Sequence, residues 1–392
     1  MRVLISGAGI AGPTLAWWLA RYGFTPTIVE SAPELRTGGY VIDFWGAGFD
    51  IADRMGLMPE IRSRGYLVQE VRAVNRSGKR SAGFSVASIS RVTKGRFTSL
   101  PRSDLSAVIF RSLPSGIETL FGDTIEHLEQ SPSGVQVTLR SGLTRDFDLV
   151  IGADGLHSRV RQLVFGEESR FEHYLGYKAA ACSVEGYRPH DELVYMMYTE
   201  IGQQVARFAM RDDRTMFLFT FADPDPTLPH TLAEQKAALR ARFGNSGWEC
   251  ARILDALETT TDVYFDRVSQ IRMEPGGWSQ GRVALLGDAA SCVSLLAGQG
   301  TALAMTAAYL LAGELHRAAG DYAQAFRRYQ ELFGPFVRSK QEAALRFAGF
   351  FAPKSRFSLF LRNQVMNLLS LPRMADRAIG RDLADRIELT EY

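Results

Sequence analysis

Three cysteines are all this 392-residue chain contains, at Cys182, Cys250 and Cys292. They are odd in number, far apart, and never at metal-ligand spacing, so neither a disulfide framework nor a zinc site is supported. Reduced thiols in the cytoplasm are the expectation. No run reaches the roughly 18–20 apolar residues of a spanning helix. The first strand begins at Arg2, which leaves no room for a signal peptide. The net charge is only +2 and no basic run stands out, which excludes a nucleic-acid or membrane-surface footprint. The six histidines are scattered and no Ser–His–Asp order occurs, so no protein nucleophile is expected. Internal repeats and low-complexity segments are also missing. What is left is ordinary globular composition, 46% hydrophobic and 22% charged, over a length that calls for two or three domains.

The N-terminus carries the first motif. Residues 2–6, RVLIS, read as a buried parallel strand and run into Gly7-Ala8-Gly9-Ile10-Ala11-Gly12, a GxGxxG turn. Pro13–Tyr22 reads as a helix, and Thr25–Glu30 as a second apolar strand ending in an acid. Gly7 makes the tight turn, Gly9 admits a pyrophosphate to the backbone, and Gly12 lets helix and strand pack closely. The helix N-terminus offers free N–H groups and partial positive charge to phosphates. Glu30 lies 18 residues past Gly12, where it can accept hydrogen bonds from a ribose. These residues specify a dinucleotide site without separating FAD from NAD.

Two further strand-to-glycine junctions follow, far along the chain. FDLVIGADGLHSRVR (147–161) joins a strand, Leu149–Ile151, to Asp154 and a helix start at Ser158, Arg159 and Arg161. A capping Asp at a turn accounts for that junction equally well. GRVALLGD (281–288) ends on Asp288, and Gly298-Gln299-Gly300 opens a helix through roughly His316. Three strand ends converging on one long ligand is the logic of the carboxyl edge of an open α/β sheet. An Asp aimed at polyol hydroxyls fits a ribityl chain. A helix opening at Gly298–Thr301 can point N–H groups at an electron-rich ring edge.

GAGIAG with Glu30, then GADGLHSRVR, then GRVALLGDAA…AGQG resemble the three motifs of the single-component FAD-dependent aromatic monooxygenases, the para-hydroxybenzoate hydroxylase-like, group A family. The resemblance runs from residue 1 to about 320, and the chain looks closest to bacterial polyketide hydroxylases and tetracycline-inactivating monooxygenases. It implies an α/β fold with three parts. A discontinuous Rossmann-like FAD-binding domain would span 1–70, 100–168 and 272–320. An inserted antiparallel-sheet substrate domain would span 71–99 and 169–271, and C-terminal helices 321–392. It implies FAD held by Gly7, Gly9, Ile10, Ala11 and Gly12, with Glu30 on the adenosine ribose. Arg102 would reach the ribityl–phosphate region, and Asp154 would help hold FAD and shape the nicotinamide groove. Asp288 would take the ribityl hydroxyls, and Gly298, Gln299, Gly300 and Thr301 the ring's pyrimidine edge. Arg36 stands where the family often has a flavin-site arginine; a solvated arginine fits as well. NADPH or NADH would be a transient co-substrate, because no second GxGxxG exists. The implied reaction hydroxylates a large aromatic or polyketide-like molecule with dioxygen, through a flavin C4a-hydroperoxide. The implied protein is a cytoplasmic monomer or weak dimer. A dehydrogenase or isoprenoid reductase of the same fold, or a non-catalytic FAD-binding redox sensor, would share the motifs.

One departure stands out. Where the family usually writes a His and one or two Pro after the GD motif, this chain has Ser291-Cys292-Val293-Ser294-Leu295-Leu296. The missing prolines remove a rigid element beside the ring. Between the motifs, Lys178–Glu185, Leu193–Tyr198, Gln204–Met210 and Thr215–Phe221 read as an antiparallel sheet, and Thr231–Phe243 as a helix. Met210 and Phe219 on that sheet, and Tyr40, Phe44 and Trp45 in Gly38–Gly48, are candidate substrate residues; core filling explains most such aromatics equally. Arg207 and Arg211 fit either pocket or surface. Asp43 is an acid among apolar residues, a perturbed group or a cap. His157 is expected to be a solvated neighbour of the site. Residues 321–351 predict a helix interrupted or kinked at Pro335, and Lys354–Leu371 a second, amphipathic one.

Overall fold

The structure is a computed structural model that describes residues 1–36, 40–188, 191–370 and 387–392. Gly38, Gly39 and Leu371, which the readings above include, lie outside the described residues.

A six-stranded sheet forms the first layer, in the order Ser279–Gln280, Val283–Leu285, Leu149–Gly152, Arg2–Ser6, Thr25–Glu30, Glu118–Phe121. All neighbours run parallel except the short Ser279–Gln280 edge. Val3, Leu4 and Ile5, like Leu149, Val150 and Ile151, have essentially no exposed surface. Parallel strands covered on both faces need that continuous apolar run. The register places Ser6 beside Gly152 and Gly152 beside Leu285, so the ends of three distant segments meet at one edge. The helices Ala11–Arg21 and Gly300–Arg317 cover this sheet in one shared core.

A meander of Ile125–Ser131, Gly134–Leu139 and Thr144–Phe147 precedes the Leu149 strand. Two strands, Val41–Trp45 and Phe97–Pro101, pair antiparallel beside the first layer.

The second large sheet has seven strands: Tyr264–Ile271, Glu172–Glu185, Arg214–Ala222, Gln203–Ala209, Val194–Glu200, Glu70–Val74 and Arg80–Ser85. Period-two alternation divides its side chains. Phe217, Phe219 and Phe221 face the helices Leu232–Phe243 and Cys250–Ala256 in a separate core. The opposite face carries a register-aligned row of small and flexible residues, Ala181, Leu218, Ala206, Met197, Ala73 and Ala82. Met366, from the helix Arg356–Leu368, packs on the far end of that row. On the same helix Arg362 is buried, and desolvation pushes its guanidinium down to about 10. It donates to Thr199 Oγ1 (2.8 Å) and Gln204 Oε1 (3.3 Å).

Tyr322–Phe351 is one uninterrupted helix through Pro335, where the sequence predicts a break or kink. Phe333 and Val337 on either side are buried in the main core, and this packing outweighs one lost backbone bond. Among the described residues no helix is long and apolar enough to cross a membrane.

Candidate flavin site

The three strand ends open onto a cleft that continues into solvent. Its first wall is the glycine turn. Gly7 has φ +110°, and a methyl there would sit 2.5 Å from the Ala153 carbonyl oxygen. A methyl at Gly12 would drive into the Gly7 carbonyl. Gly9, by contrast, has only Arg102 Nη2 nearby, 3.6 Å from an added methyl, so the space above it is open. Glu30 Oε2 accepts from Ala8 N (2.7 Å) and Oε1 from Ala32 N (2.9 Å), which ties the turn to the second strand.

Gly9, Ile10, Ala11, Arg102, Asp288, Gly298, Gly300 and Thr301 all line the cleft, although the chain separates them by up to some 290 residues. Arg102 begins the helix Arg102–Arg111, and its N–H donates to Tyr40 O (3.0 Å). Among the described residues no carboxylate forms an ion pair with its guanidinium. No side chain caps the helices that start at Ala11 and Gly300, so their first-turn N–H groups lack side-chain partners. Burial raises the Asp288 carboxyl above its ordinary value, and Arg102 opposes that shift. The thiol of Cys292 beside it is pushed well up, first by burial and then by Asp288. Unpaired cation, uncapped helix starts and a lone carboxylate are complementary to a pyrophosphate, an electron-rich ring edge and a polyol.

The remaining sequence candidates are placed differently. Asp154 itself is turned away from the cleft, while Ala153, Gly155 and Leu156 line it. Its oxygens accept from Ser158 Oγ (2.5 Å) and Val160 N (3.0 Å), which fixes the start of the helix Arg159–Phe165. Arg36 is exposed. Gln299 and Trp45 border a separate small cavity with Phe336. Tyr40 lines the cleft. Phe44 does not: it is fully buried against Phe49, deeper along its strand. Phe219 likewise points to the helix side of its sheet, 5.2 Å from Phe243, and so cannot touch a ligand in the cleft. Met210 is half-buried in a cluster that Tyr40 and Tyr66 also join. Arg207 is buried on that helix side with Asp191 and Glu249, and Arg211 donates to the Arg64 and Gly65 carbonyls.

Sequence reasoning missed Tyr264, Arg267 and Ser269, which reach the cleft from the edge strand of the seven-stranded sheet. The Tyr264 and Tyr40 rings stand 5.7 Å apart across the junction of the two layers. It also missed what replaces the prolines. Gln270 Nε2 donates to Val293 O (3.0 Å) and Gln341 O (2.8 Å); Gln341 Nε2 donates to Cys292 O (3.1 Å) and Ile271 O (2.7 Å). Two buried amides thus pin the segment after Asp288. Ser294 within it holds φ +111°, and its Oγ accepts from Leu296 N (3.2 Å).

His157 is a bridge and not merely a solvated neighbour. Its ring nitrogens meet Asp266 Oδ2 (3.1 Å) and Glu168 Oε1 (3.0 Å), joining the two layers. These carboxylates, Asp266 first, raise the imidazole from 6.5 to about 10. A raised folded-state value means the stabilisation is full below pH 6.5 and drains away as pH rises through 10. His157→Gln is therefore expected to melt below wild type at pH 6–7, by about 2 °C for a half-exposed pair contributing about 1 kcal/mol. The two melting curves should merge above pH 10. A constant gap across that range would remove the imidazolium from the account.

Comparison with known proteins agrees with this geometry. The family described as an FAD binding domain matches residues 1–325. A flavin-dependent monooxygenase of Legionella longbeachae serogroup 1 (strain NSW150) is 31% identical over 409 residues, covering 100% of this chain and 98% of that protein. An uncharacterized protein of Mycobacterium tuberculosis (strain ATCC 25618 / H37Rv) is 38% identical over 344 residues, 86% of this chain and 91% of that one. The crystal structure of tetracycline destructase Tet(55) superposes with a TM-score of 0.84 at 32% identity, over 100% of this chain and 98% of that chain. The match of an FAD binding domain to most of the chain, together with these whole-length relatives, places the chain in the FAD-binding, para-hydroxybenzoate hydroxylase-like family of flavin-dependent monooxygenases.

Proposed function

We propose that this monooxygenase hydroxylates a large aromatic or polyketide-like, tetracycline-like small molecule, with NADPH or NADH as electron donor, in the cytoplasm. The balanced reaction converts an aromatic C–H, dioxygen, NAD(P)H and a proton into C–OH, water and NAD(P)⁺. The observation that carries the reading is the junction of the two layers. There Tyr40 and Tyr264 both line the cleft with their rings 5.7 Å apart, an aromatic wall suited to a flat, conjugated molecule. The similarity to a tetracycline destructase over the whole chain supports the substrate class.

Bound FAD supplies hydride acceptance and oxygen activation, chemistry no side chain offers. The chain's part is binding and placement. Gly7, Gly9 and Gly12 with Arg102 hold the phosphates, with Glu30 bracing the turn beneath them. Asp288 orients the polyol, and the Gly300 helix start stabilises negative charge at the ring edge. Gln270 and Gln341 hold the loop that would face the reacting ring. Tyr40 and Tyr264 carry phenols raised by burial, Tyr40 to about 12, so both remain neutral hydrogen-bond donors near neutral pH. The nicotinamide passes through transiently, since the chain has no second glycine fingerprint.

The test is substrate-stimulated NAD(P)H oxidation under labelled dioxygen, with tetracycline and simpler phenols. One labelled oxygen atom should enter the product. Hydrogen peroxide as the sole product with every aromatic would overturn the oxygenase assignment for this substrate class.

A further inference from the structure

Asp43 has no place in the flavin chemistry above, and its surroundings are unusual. It lies on the strand Val41–Trp45, opposite Ser99 on the strand Phe97–Pro101. Ser99 is buried and donates its hydroxyl to Asp43 Oδ1 (2.6 Å). That bond fixes one oxygen and leaves the other unclaimed. Among the described residues no Lys or Arg pairs with this carboxylate. Its residue surface is nevertheless exposed, while surrounding protein raises its carboxyl above the ordinary value. Accessible surface together with dense surroundings describes a group lining a deep opening rather than an outer face.

The direction of that opening follows from the strand. Ile42, one residue earlier, lines the flavin cleft, so the period-two step turns Asp43 to the other side. Val41 shares that side and packs with Phe208, Met216 and Tyr195 on the seven-stranded sheet. Tyr195 feels the Asp43 charge across the gap, and only burial raises its phenol more. Tyr195 and Leu218 keep part of their surface accessible although they belong to interior strands, so this face of the sheet is not fully covered beside Asp43. A carboxylate with a spare oxygen, no cation of its own, and the half-buried ring of Tyr195 across from it is a receptor for an ammonium group. Leaving such a charge unpaired in an apolar opening is costly, and a cationic guest removes that cost.

We infer that Asp43, held by Ser99, is the specificity residue of the substrate opening and accepts a protonated amine carried on the aromatic substrate. The inference rests on the substrate class proposed above and adds the charge of the group recognised. Asp43 would touch the substrate away from the reacting carbon, so its removal weakens binding while the flavin stays.

Tetracycline and its 4-dedimethylamino analogue form a matched pair that differs in one basic amine. Each is titrated into the FAD-loaded protein at neutral pH and followed by the change in the flavin spectrum. The wild type should bind the amine-bearing member at least tenfold more tightly. Asp43→Asn should bind both equally, with full flavin content, and Ser99→Ala should lose part of the preference. The wild-type comparison needs no variant, so misfolding of Asp43→Asn cannot mask the answer. Equal affinity of the wild type for the pair, or a preference retained in Asp43→Asn, overturns the assignment and leaves the proposed reaction intact. Binding of neither compound overturns the assignment together with the tetracycline-like substrate class.

Discussion

Asp288→Ala should give a folded protein that purifies almost colourless. Asp288 stands at the first turn after the strand Val283–Leu285, with Gly287 at φ +62° delivering it to the cleft. Within the chain its carboxylate engages the thiol of Cys292 and feels Arg102. Truncation leaves the buried Cys292 thiol its other acceptor, the Ser269 carbonyl (3.6 Å), and removes no apolar packing from the core. What disappears, on the function proposed above, is a charged acceptor for the polyol of FAD. Hydrogen bonds to charged groups contribute about 1.5–3 kcal/mol each, so losing one of them weakens FAD binding by roughly ten- to a hundredfold, and losing two by more. Flavin absorbance per protein and titration of FAD into the apoprotein measure this. A variant that keeps its full flavin complement would end Asp288's role. Asp154 is the contrasting carboxylate: its bonds to Ser158 and Val160 hold a helix start, so Asp154→Ala should lower the melting temperature before it bleaches the protein.

Gly12→Ala should fail earlier, at the fold. An added methyl meets the Gly7 carbonyl and lies 3.2 Å from Ile5 Cγ2, so the helix Ala11–Arg21 must lift off the central strand. Both elements belong to the main core, where overpacking costs about 1–3 kcal/mol and backbone clashes more. We expect roughly 3 kcal/mol or more, a fall of at least about 6 °C in melting temperature, with flavin lost at the same time. Gly9→Ala separates the two effects. Its methyl finds only Arg102 Nη2 at 3.6 Å, so the apoprotein should melt within about 2 °C of wild type while FAD affinity falls. Equal melting temperatures for Gly12→Ala and wild type would refute the close-packing argument.

That the glycine turn, Arg102, Asp288 and the Gly300 helix start share one cleft was legible because the signals are local. A buried run meets a glycine at Gly7, at Gly152 and at Gly287, with an acid within two residues at the latter two and at the end of the next strand, Glu30, for the first; the sheet register then aligns them. The substrate side was not, because its residues owe their position to tertiary pairing. Tyr264, Arg267 and Ser269 belong to an edge strand whose neighbour, Glu172–Glu185, begins some 90 residues earlier. Phe219 was sound as an aromatic on a strand but faces a helix, since period-two alternation does not say which face meets a helix and which a ligand; Phe44 shares the side of Ile42, yet it sits deeper along the strand, fully buried against Phe49. The missing prolines looked like lost rigidity, but Gln270 and Gln341 restore it from 23 and 49 residues away. His157 sits within a motif, while its partner Asp266 is 109 residues away.

The convergence of three remote segments also sets a clock for biosynthesis. A nascent chain carrying the glycine turn, the second strand and Glu30 still lacks Asp288 and the Gly300 helix, and the Leu149–Gly152 strand still waits for Val283–Leu285 at its side. At about 5–20 residues per second, ribosomes need roughly 15–60 s to reach that point. Until then the half-built sheet exposes an apolar edge and has no complete cradle for its vitamin-derived prosthetic group. Truncated translation products should accordingly depend on chaperones and leave the cellular riboflavin pool untouched, whereas the finished polypeptide has every segment that the pigment's cleft requires.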